Sequence, residues 1–200
     1  TSSTLRKSEI NEEKIIKDMV GREINNIYPK REKYVTKEIV LETKNMCAYD
    51  YSRSKQVVKD ANFVLRKGEV VGLAGLMGAG RSELALAIYG NPKNYETSGE
   101  LFVYGKKVSF SHPKDALKAG IAYVSEDRKH EGLILKQDVK QNISITNLKA
   151  LSSKGIIDIN KEIVIAEKYR KDINIKTPSI EQIVENLSGG NQQKVSISKG

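Results

Sequence analysis

Two glycine-rich segments of this chain contain the residue types that bind phosphate groups. The first consists of Gly75, Leu76, Met77, Gly78, Ala79, Gly80, Arg81 and Ser82. Glycines let backbone N–H groups turn toward an anion, and a following helix points its positive end at the same place. Such loops usually add a lysine, and a hydroxyl that holds Mg²⁺. Ser82 stands at the magnesium position, and Arg81 replaces the lysine. We expect a loop that holds a nucleotide but hydrolyses it poorly, because a planar guanidinium cannot wrap phosphates as an ammonium does.

The second segment comes near the end of the chain and consists of Leu187, Ser188, Gly189, Gly190, Asn191 and Gln192. Ser188 is a good N-cap for a helix that begins there. Gly189 and Gly190 would let a phosphate come close to the exposed N–H groups of that helix. The segment therefore predicts a second anion site, with a serine-capped helix that binds nothing as the alternative.

Strands and helices alternate in the part of the chain expected to position these segments. Strands are predicted at residues 39–43 and 62–65, in a hairpin around Gly105, and at two apolar runs, 69–74 and 121–124, that fit strands buried on both faces. Helices are predicted at residues 12–20, 81–89, 113–119, 139–148, 161–173 and from Ser188 onward. The order predicts an α/β fold, with an antiparallel β subdomain and a helical subdomain around the phosphate loop.

Composition excludes several classes of protein. An apolar fraction of 38% in 200 residues is enough for a core, and no run is long enough to predict a membrane-spanning helix. The start of the chain has no apolar centre of the kind a signal peptide needs. The formal charge of +9 is spread along the chain rather than gathered in a basic tract, so we expect a solvated lysine-rich surface and no nucleic-acid partner. A single cysteine, Cys47, excludes an internal disulfide.

Read together, the two glycine-rich segments resemble the phosphate loop and signature motif of the ABC-transporter ATPase domain. Three further stretches, YVSEDRK from Tyr123, DMVGR from Asp18 and KTPS from Lys176, make the chain similar to the second nucleotide-binding domain of bacterial monosaccharide importers. The resemblance implies a P-loop NTPase of the ABC type. It divides the chain into residues 1–37, a connector from a preceding nucleotide-binding domain, and residues 38–200, the second such domain, incomplete at its C-terminus before the Walker B strand.

The resemblance also implies roles for single residues, with ATP and Mg²⁺ as cofactors. The signature residues Leu187 to Gln192 would contact ATP held by the phosphate loop of the other domain. Ser82 would hold Mg²⁺ through the nucleotide in the weaker site, and Glu126 would stand at the position of the glutamine that senses magnesium. Adenine would stack on Tyr49 or Tyr51, with Tyr49 favoured.

The partners implied by the resemblance are the other nucleotide-binding domain of the same polypeptide, transmembrane permease subunits and, indirectly, a periplasmic or extracellular sugar-binding protein. Residues 126–141 would touch the permease, which places the protein on the cytoplasmic face of the cell membrane. The sequence around Tyr49 and the loop at residues 91–99 favour xylose-type members over ribose or galactose types.

No apolar strand ending in Asp-Glu follows the signature, and Gly200 interrupts a helix that is predicted to be still running. We therefore expect no catalytic residue within these 200 residues and negligible ATPase activity from them alone, while the full-length protein would be a monosaccharide-transporting ATPase. Two alternatives remain at this point: a non-catalytic regulatory or scaffold domain whose phosphate loop is only a turn, and a nucleic-acid-associated ABC ATPase.

Overall fold

The computed structural model describes Asn11, Ile15 and residues 34–199. Most of the helix predicted at residues 12–20 therefore lies outside the described part, although the Ile15 N–H donates to the Asn11 carbonyl oxygen at 3.1 Å. The boundary between a connector and a domain at residue 38 stays a prediction.

A four-stranded antiparallel sheet forms the first half of the fold. Its strands are β1 (Ile39–Asp50), β2 (Lys55–Arg66), β3 (Glu96–Val103) and β4 (Lys106–Val108), in the order β2-β1-β3-β4. The hairpin predicted around Gly105 is confirmed. β1 and β2 are both longer than predicted, and the register of β1 shifts between Thr43 and Met46. Such shifts interrupt the ladder of hydrogen bonds, bend the strand and increase its twist.

Two helices accompany this sheet. Helix α1 (Arg81–Ile88) packs its apolar side chains against the sheet, and α2 (Pro113–Lys118) begins with proline at a first-turn position, as predicted. The His112 ring accepts from the Lys114 N–H at 3.1 Å and caps α2. The buried residues of this first core are Met46, Ala48, Val58, Leu84, Leu86, Ala87, Ile88, Tyr95 and Leu101.

The remaining elements are mainly helical. They are a π-helical turn (Arg128–Gly132), α3 (Val139–Ser144), a 3₁₀ turn (Ile145–Asn147), α4 (Leu148–Leu151), the short strands β5 (Ser152–Ser153) and β6 (Ile156–Ile157), α5 (Ile159–Asp172), a 3₁₀ turn (Val184–Asn186) and α6 (Gly189–Ile197). A second core joins them, made of Leu133, Val139, Ile143, Ala166, Ile175, Ile180, Val184 and Val195. The predicted helical subdomain is thus confirmed.

Three predictions about secondary structure were wrong. Residues 69–74 and 121–124 form no strand, and side chains expected inside are outside: Val70 is 79% exposed and Val124 48%. A strand exists only when a neighbour accepts its hydrogen bonds, and no described segment pairs with either run. Helix α6 ends at Ile197 rather than running on, and the Ser198 hydroxyl donates to the Lys194 carbonyl oxygen at 2.8 Å.

The two cores meet across a cavity of about 400 Å³, whose lining includes Leu86, Tyr123 and Ser196. Polar contacts join its walls. The Lys93 ammonium lies 3.0 Å from the Glu131 carboxylate, which also accepts from the Ser125 hydroxyl at 2.8 Å. Among the described residues no helix is both long and apolar enough to cross a membrane.

Candidate functional site

The phosphate loop leads directly into α1, as the sequence predicts. Gly78 and Gly80 have φ angles of +80° and +83°, a left-handed conformation that glycine adopts without strain. Gly80 is the N-cap of α1, and no side chain caps the helix. The N–H groups of the first helical turn, from Arg81 to Glu83, therefore remain available for an anion.

Gly80 also fixes where the loop sits. A Cβ at this position would lie 2.1 Å from the Val57 carbonyl oxygen of β2, whereas Gly78 has no atom within 4 Å of its Cβ position. The loop therefore contacts the sheet at Gly80 and is open at Gly78. Leu76 and Met77, at its tip, are 86% and 100% exposed.

Arg81 and Ser82 are the first two residues of α1, directly after the loop. Arg81 is exposed, and its Cδ atom lies 3.8 Å from the Cβ position of Gly75, so the side chain folds back across the loop. Ser82 is half-buried, and its hydroxyl has no hydrogen-bond partner among the described residues. A free hydroxyl in the first turn of a helix fits the role of a Mg²⁺ ligand beside phosphate. No cluster of His, Cys, Asp or Glu in the described part of the chain could hold a metal ion without a nucleotide.

The two adenine-stacking candidates lie at the end of β1. The rings of Tyr49 and Tyr51 meet edge to face, with centroids 5.0 Å apart. Tyr51 is exposed and donates from its hydroxyl to Glu96 at 2.5 Å, and this bond raises the pKa of Tyr51. In the turn that follows, Arg53 lies 3.4 Å from Glu83 in the first turn of α1. The pair thus lies at the same end of the sheet as the phosphate loop, and adenine stacking stays a prediction.

The signature segment begins α6, with Ser188 at the predicted N-cap position. The Ser188 hydroxyl does not cap the helix; it accepts from the Asn191 side chain at 3.0 Å, and Asn191 in turn accepts from the Lys176 N–H at 2.9 Å. Gly190 has open space around its Cβ position. The N-terminus of α6 is therefore accessible on its Gly190 side.

Gln192 lies inside the helical subdomain. Its side chain is buried, donates to the Val184 carbonyl oxygen at 3.1 Å, and accepts from the Arg128 Nε at 3.3 Å. Its amide is thus occupied by intramolecular bonds, and the predicted contact between Gln192 and ATP stays a prediction. Leu187 precedes the helix and is half-buried beside the second core.

Glu126 is exposed in the segment that leads to the π-helical turn. Its neighbour Asp127 begins that turn and accepts from both the backbone N–H and the ring of His130, which together lower the pKa of Asp127. The role of Glu126 as a magnesium sensor stays a prediction.

The structure keeps the two glycine-rich segments apart. The phosphate loop lies beside the first core at Gly80, and the signature lies beside the second at Leu187. Within residues 34–199 no hydrogen bond or ion pair joins residues 75–82 to residues 187–192. Sequence reasoning missed Arg128, whose guanidinium lies beside Gly189. A Cβ there would be 3.0 Å from Arg128 Nη2. The only available signal was an arginine in a charged loop, with nothing to indicate its partner.

Comparison with known proteins finds relatives that match nearly the whole chain. The xylose import ATP-binding protein XylG of Thermoanaerobacter pseudethanolicus is 48% identical over 200 residues, which are 100% of this chain and 39% of that protein. The L-arabinose transport ATP-binding protein AraG of Geobacillus stearothermophilus is 46% identical over 196 residues, 98% of this chain and 38% of that protein. The ribose import ATP-binding protein RbsA 3 of Rubrobacter xylanophilus is 43% identical, with the same two coverages. The chain thus spans well under half the length of these relatives.

Solved structures support the fold. The ADP conformation of MJ1267, an ATP-binding cassette of an ABC transporter, aligns with a TM-score of 0.59 at 21% identity, over 80% of this chain and 63% of that one. The dimeric cassette MJ0796, bound to ADP and Pi, aligns with a TM-score of 0.63 at 21% identity, over 80% of this chain and 68% of that one. These likenesses confirm a P-loop cassette fold with an antiparallel β subdomain and a helical subdomain. The family model for ABC transporters matches residues 58–200, and the chain therefore belongs to the ABC transporter family.

Proposed function

We propose that this domain is part of the ATP-binding, energy-coupling subunit of a bacterial monosaccharide importer. Its main contribution is to complete an ATP site on another domain through its signature segment. The observation that supports this most directly is the accessible N-terminus of α6, where Gly190 has nothing within 4 Å of its Cβ position. Relatives that match 98% to 100% of the chain are named for the import or transport of xylose, L-arabinose and ribose.

The domain's own phosphate loop forms the weaker of the two sites in this proposal. The free N–H groups at the start of α1 bind phosphate, Arg81 adds a positive charge, and the Ser82 hydroxyl is the group that would hold Mg²⁺. Bound with a nucleotide, Mg²⁺ neutralises charge on the phosphates. The folded-back Arg81 side chain covers the loop near Gly75, which leaves less room for a phosphate than an extended lysine would.

The partners follow from the same proposal. A second nucleotide-binding domain of the same polypeptide supplies the phosphate loop that faces α6. Permease subunits bind residues 126–141 at the cytoplasmic face of the membrane, and a sugar-binding protein delivers the substrate from the other side. The relatives are named for three different sugars, which supports placing the choice of sugar in the permease and the binding protein rather than in this domain.

Substitutions of Gly190 can separate an effect of charge on ATP binding from an effect on folding. The space around it admits a side chain, so Gly190→Glu and Gly190→Gln should both fold and melt like the wild type. In the full-length transporter, Gly190→Glu should abolish ATP-driven sugar uptake, because a carboxylate at this helix end repels phosphate. Gly190→Gln has the same size without the charge and should keep more activity. Equal, undiminished uptake by both variants would contradict the proposal.

The scaffold alternative predicts a different result in a second experiment. A ligand that binds only the native state must stabilise it, by about 2.7 kcal/mol at a concentration one hundred times its Kd. We therefore expect millimolar Mg-ATP to raise the melting temperature of the full-length protein. If Mg-ATP leaves the melting temperature unchanged, the phosphate loop is a structural turn and the scaffold function is the better description.

A further inference from the structure

Arg128 is one of two arginines in the described part of the chain that have no carboxylate partner. Arg53, Arg66 and Arg170 each lie within 4.0 Å of an Asp or Glu carboxylate. Arg81 and Arg128 have no such partner among the described residues. Arg81 lies in the phosphate loop, and Arg128 lies at the signature. Uncompensated guanidinium groups thus occur at the two anion sites of the domain.

The Arg128 guanidinium is held through its Nε atom, while in the described part of the chain its two terminal nitrogens are free to bind a ligand. Its Nε donates to the Gln192 side-chain oxygen at 3.3 Å, while its terminal nitrogens have no acceptor among residues 34–199. Nη2 lies 3.0 Å from the Cβ position of Gly189, so the group is packed beside the first turn of α6. A guanidinium has five N–H donors, and most of those on Arg128 remain unused.

Gln192 holds this arrangement in place. Its amide nitrogen donates to the carbonyl oxygens of Val184 and Glu185 at 3.1 and 3.5 Å, which leaves the amide oxygen facing Arg128. Because Gln192 is buried, exchanging these bonds for water would require opening the helical subdomain. The cation is therefore positioned before any ligand arrives, so less side-chain entropy is lost on binding.

We propose that Arg128 is a phosphate-binding residue of the signature site. Its terminal nitrogens donate hydrogen bonds to the phosphates of the ATP that is bound by the facing domain and contacted by α6. The N–H groups of α6 and the guanidinium then act on the same anion from adjacent positions. The inference rests on the proposed function, because it requires a nucleotide at the signature.

The test uses the full-length transporter with its permease, and three variants. Arg128→Gln removes the charge, and Arg128→Lys keeps the charge without the planar fork. Lys168→Gln removes one positive charge from an exposed side chain of α5, outside residues 126–141, and serves as the matched control. Sugar-dependent ATPase activity is measured against ATP concentration, and a thermal melt is recorded for each protein.

We expect Arg128→Gln to raise the KM for ATP by about tenfold or more, as for the loss of a charge-assisted hydrogen bond, while Lys168→Gln leaves it unchanged. Arg128→Lys should raise it less. If Arg128→Gln does not fold, Arg128→Lys decides: a raised KM supports the role, and an unchanged KM overturns it. A lowered melting temperature with the wild-type KM would show that Arg128 only fills space beside Gly189.

Failure of the proposed function gives a different result. A wild-type transporter without any ATP-dependent uptake would overturn the proposed function, and the role of Arg128 with it. An active transporter in which Arg128→Gln and Lys168→Gln have the same KM would overturn the role of Arg128 alone.

Discussion

Gly80 connects the phosphate loop to the sheet, and replacing it with alanine tests that connection. Two contributions lower the free energy of unfolding of Gly80→Ala. A non-glycine residue in the left-handed conformation costs roughly 1–2 kcal/mol. In addition, the new Cβ would lie 2.1 Å from the Val57 carbonyl oxygen, where ordinary contacts begin near 3.4 Å. Relieving that overlap requires a backbone shift of the kind that costs about 1–3 kcal/mol in a packed interior.

Gly78→Ala is the matched control, because it lies in the same loop with nearly the same φ and has nothing within 4 Å of its Cβ position. Gly78→Ala should therefore lose only the free energy that a non-glycine residue loses in the left-handed conformation. We therefore expect Gly80→Ala to be less stable than Gly78→Ala by about 1–3 kcal/mol, since only the first variant meets the sheet. For a protein of this size the difference corresponds to roughly 2–12 °C in melting temperature.

Thermal melts followed by circular dichroism measure both variants against the wild type. The same samples should be tested for Mg-ATP stabilisation, which depends on the loop rather than on the core. If the two variants melt at the same temperature, the contact between Gly80 and β2 contributes nothing, and the explanation for this glycine is wrong.

Two further variants test the second core and its connection to the first. Asn142 is fully buried and bonds both the N–H and the carbonyl oxygen of Ile134, so Asn142→Ala should cost about 3 kcal/mol in a urea titration, clearly more than the exposed neighbour change Gln141→Ala. The hydrogen bond from Lys93 lowers the pKa of Glu131 from its ordinary value of 4.5, so the stability it contributes is present above 4.5 and is lost as the pH falls through the folded-state pKa. In Glu131→Gln the free energy of unfolding should therefore fall less steeply as the pH is lowered. A fall as steep as that of the wild type would argue against the contact.

Local signals in the sequence predicted the parts of the site that are built locally. Glycines at residues 75, 78 and 80 mark the loop, and the polar residue before Gly189 marks the start of α6. A proline marks the start of α2. Each of these signals depends on backbone conformations within a few residues, and such conformations are set by residue type.

The errors concern features that depend on distant residues. The run around Val70 has the composition of a buried strand, but no described neighbour pairs with it. The bond between Arg128 and Gln192 joins residues 64 positions apart, and neither residue type indicates the other. Gln192 is buried because it packs against the turn at Val184, and nothing in the local sequence indicates that burial. Tertiary contacts of this kind override what local patterns indicate.

The two separate cores have a consequence for how the domain loses its structure. Few buried apolar contacts cross the cavity between them, and the Lys93–Glu131 pair that does cross it is half exposed to water. Each core should therefore open as its own cooperative unit. Backbone amides of α1 and of α6 would then exchange with deuterium at unequal rates. A nucleotide in the phosphate loop would slow exchange in the first unit, whereas contact with a facing domain would slow it in the second. Hydrogen exchange in α1 and in α6 would thus measure the occupancy of the two anion sites independently of each other.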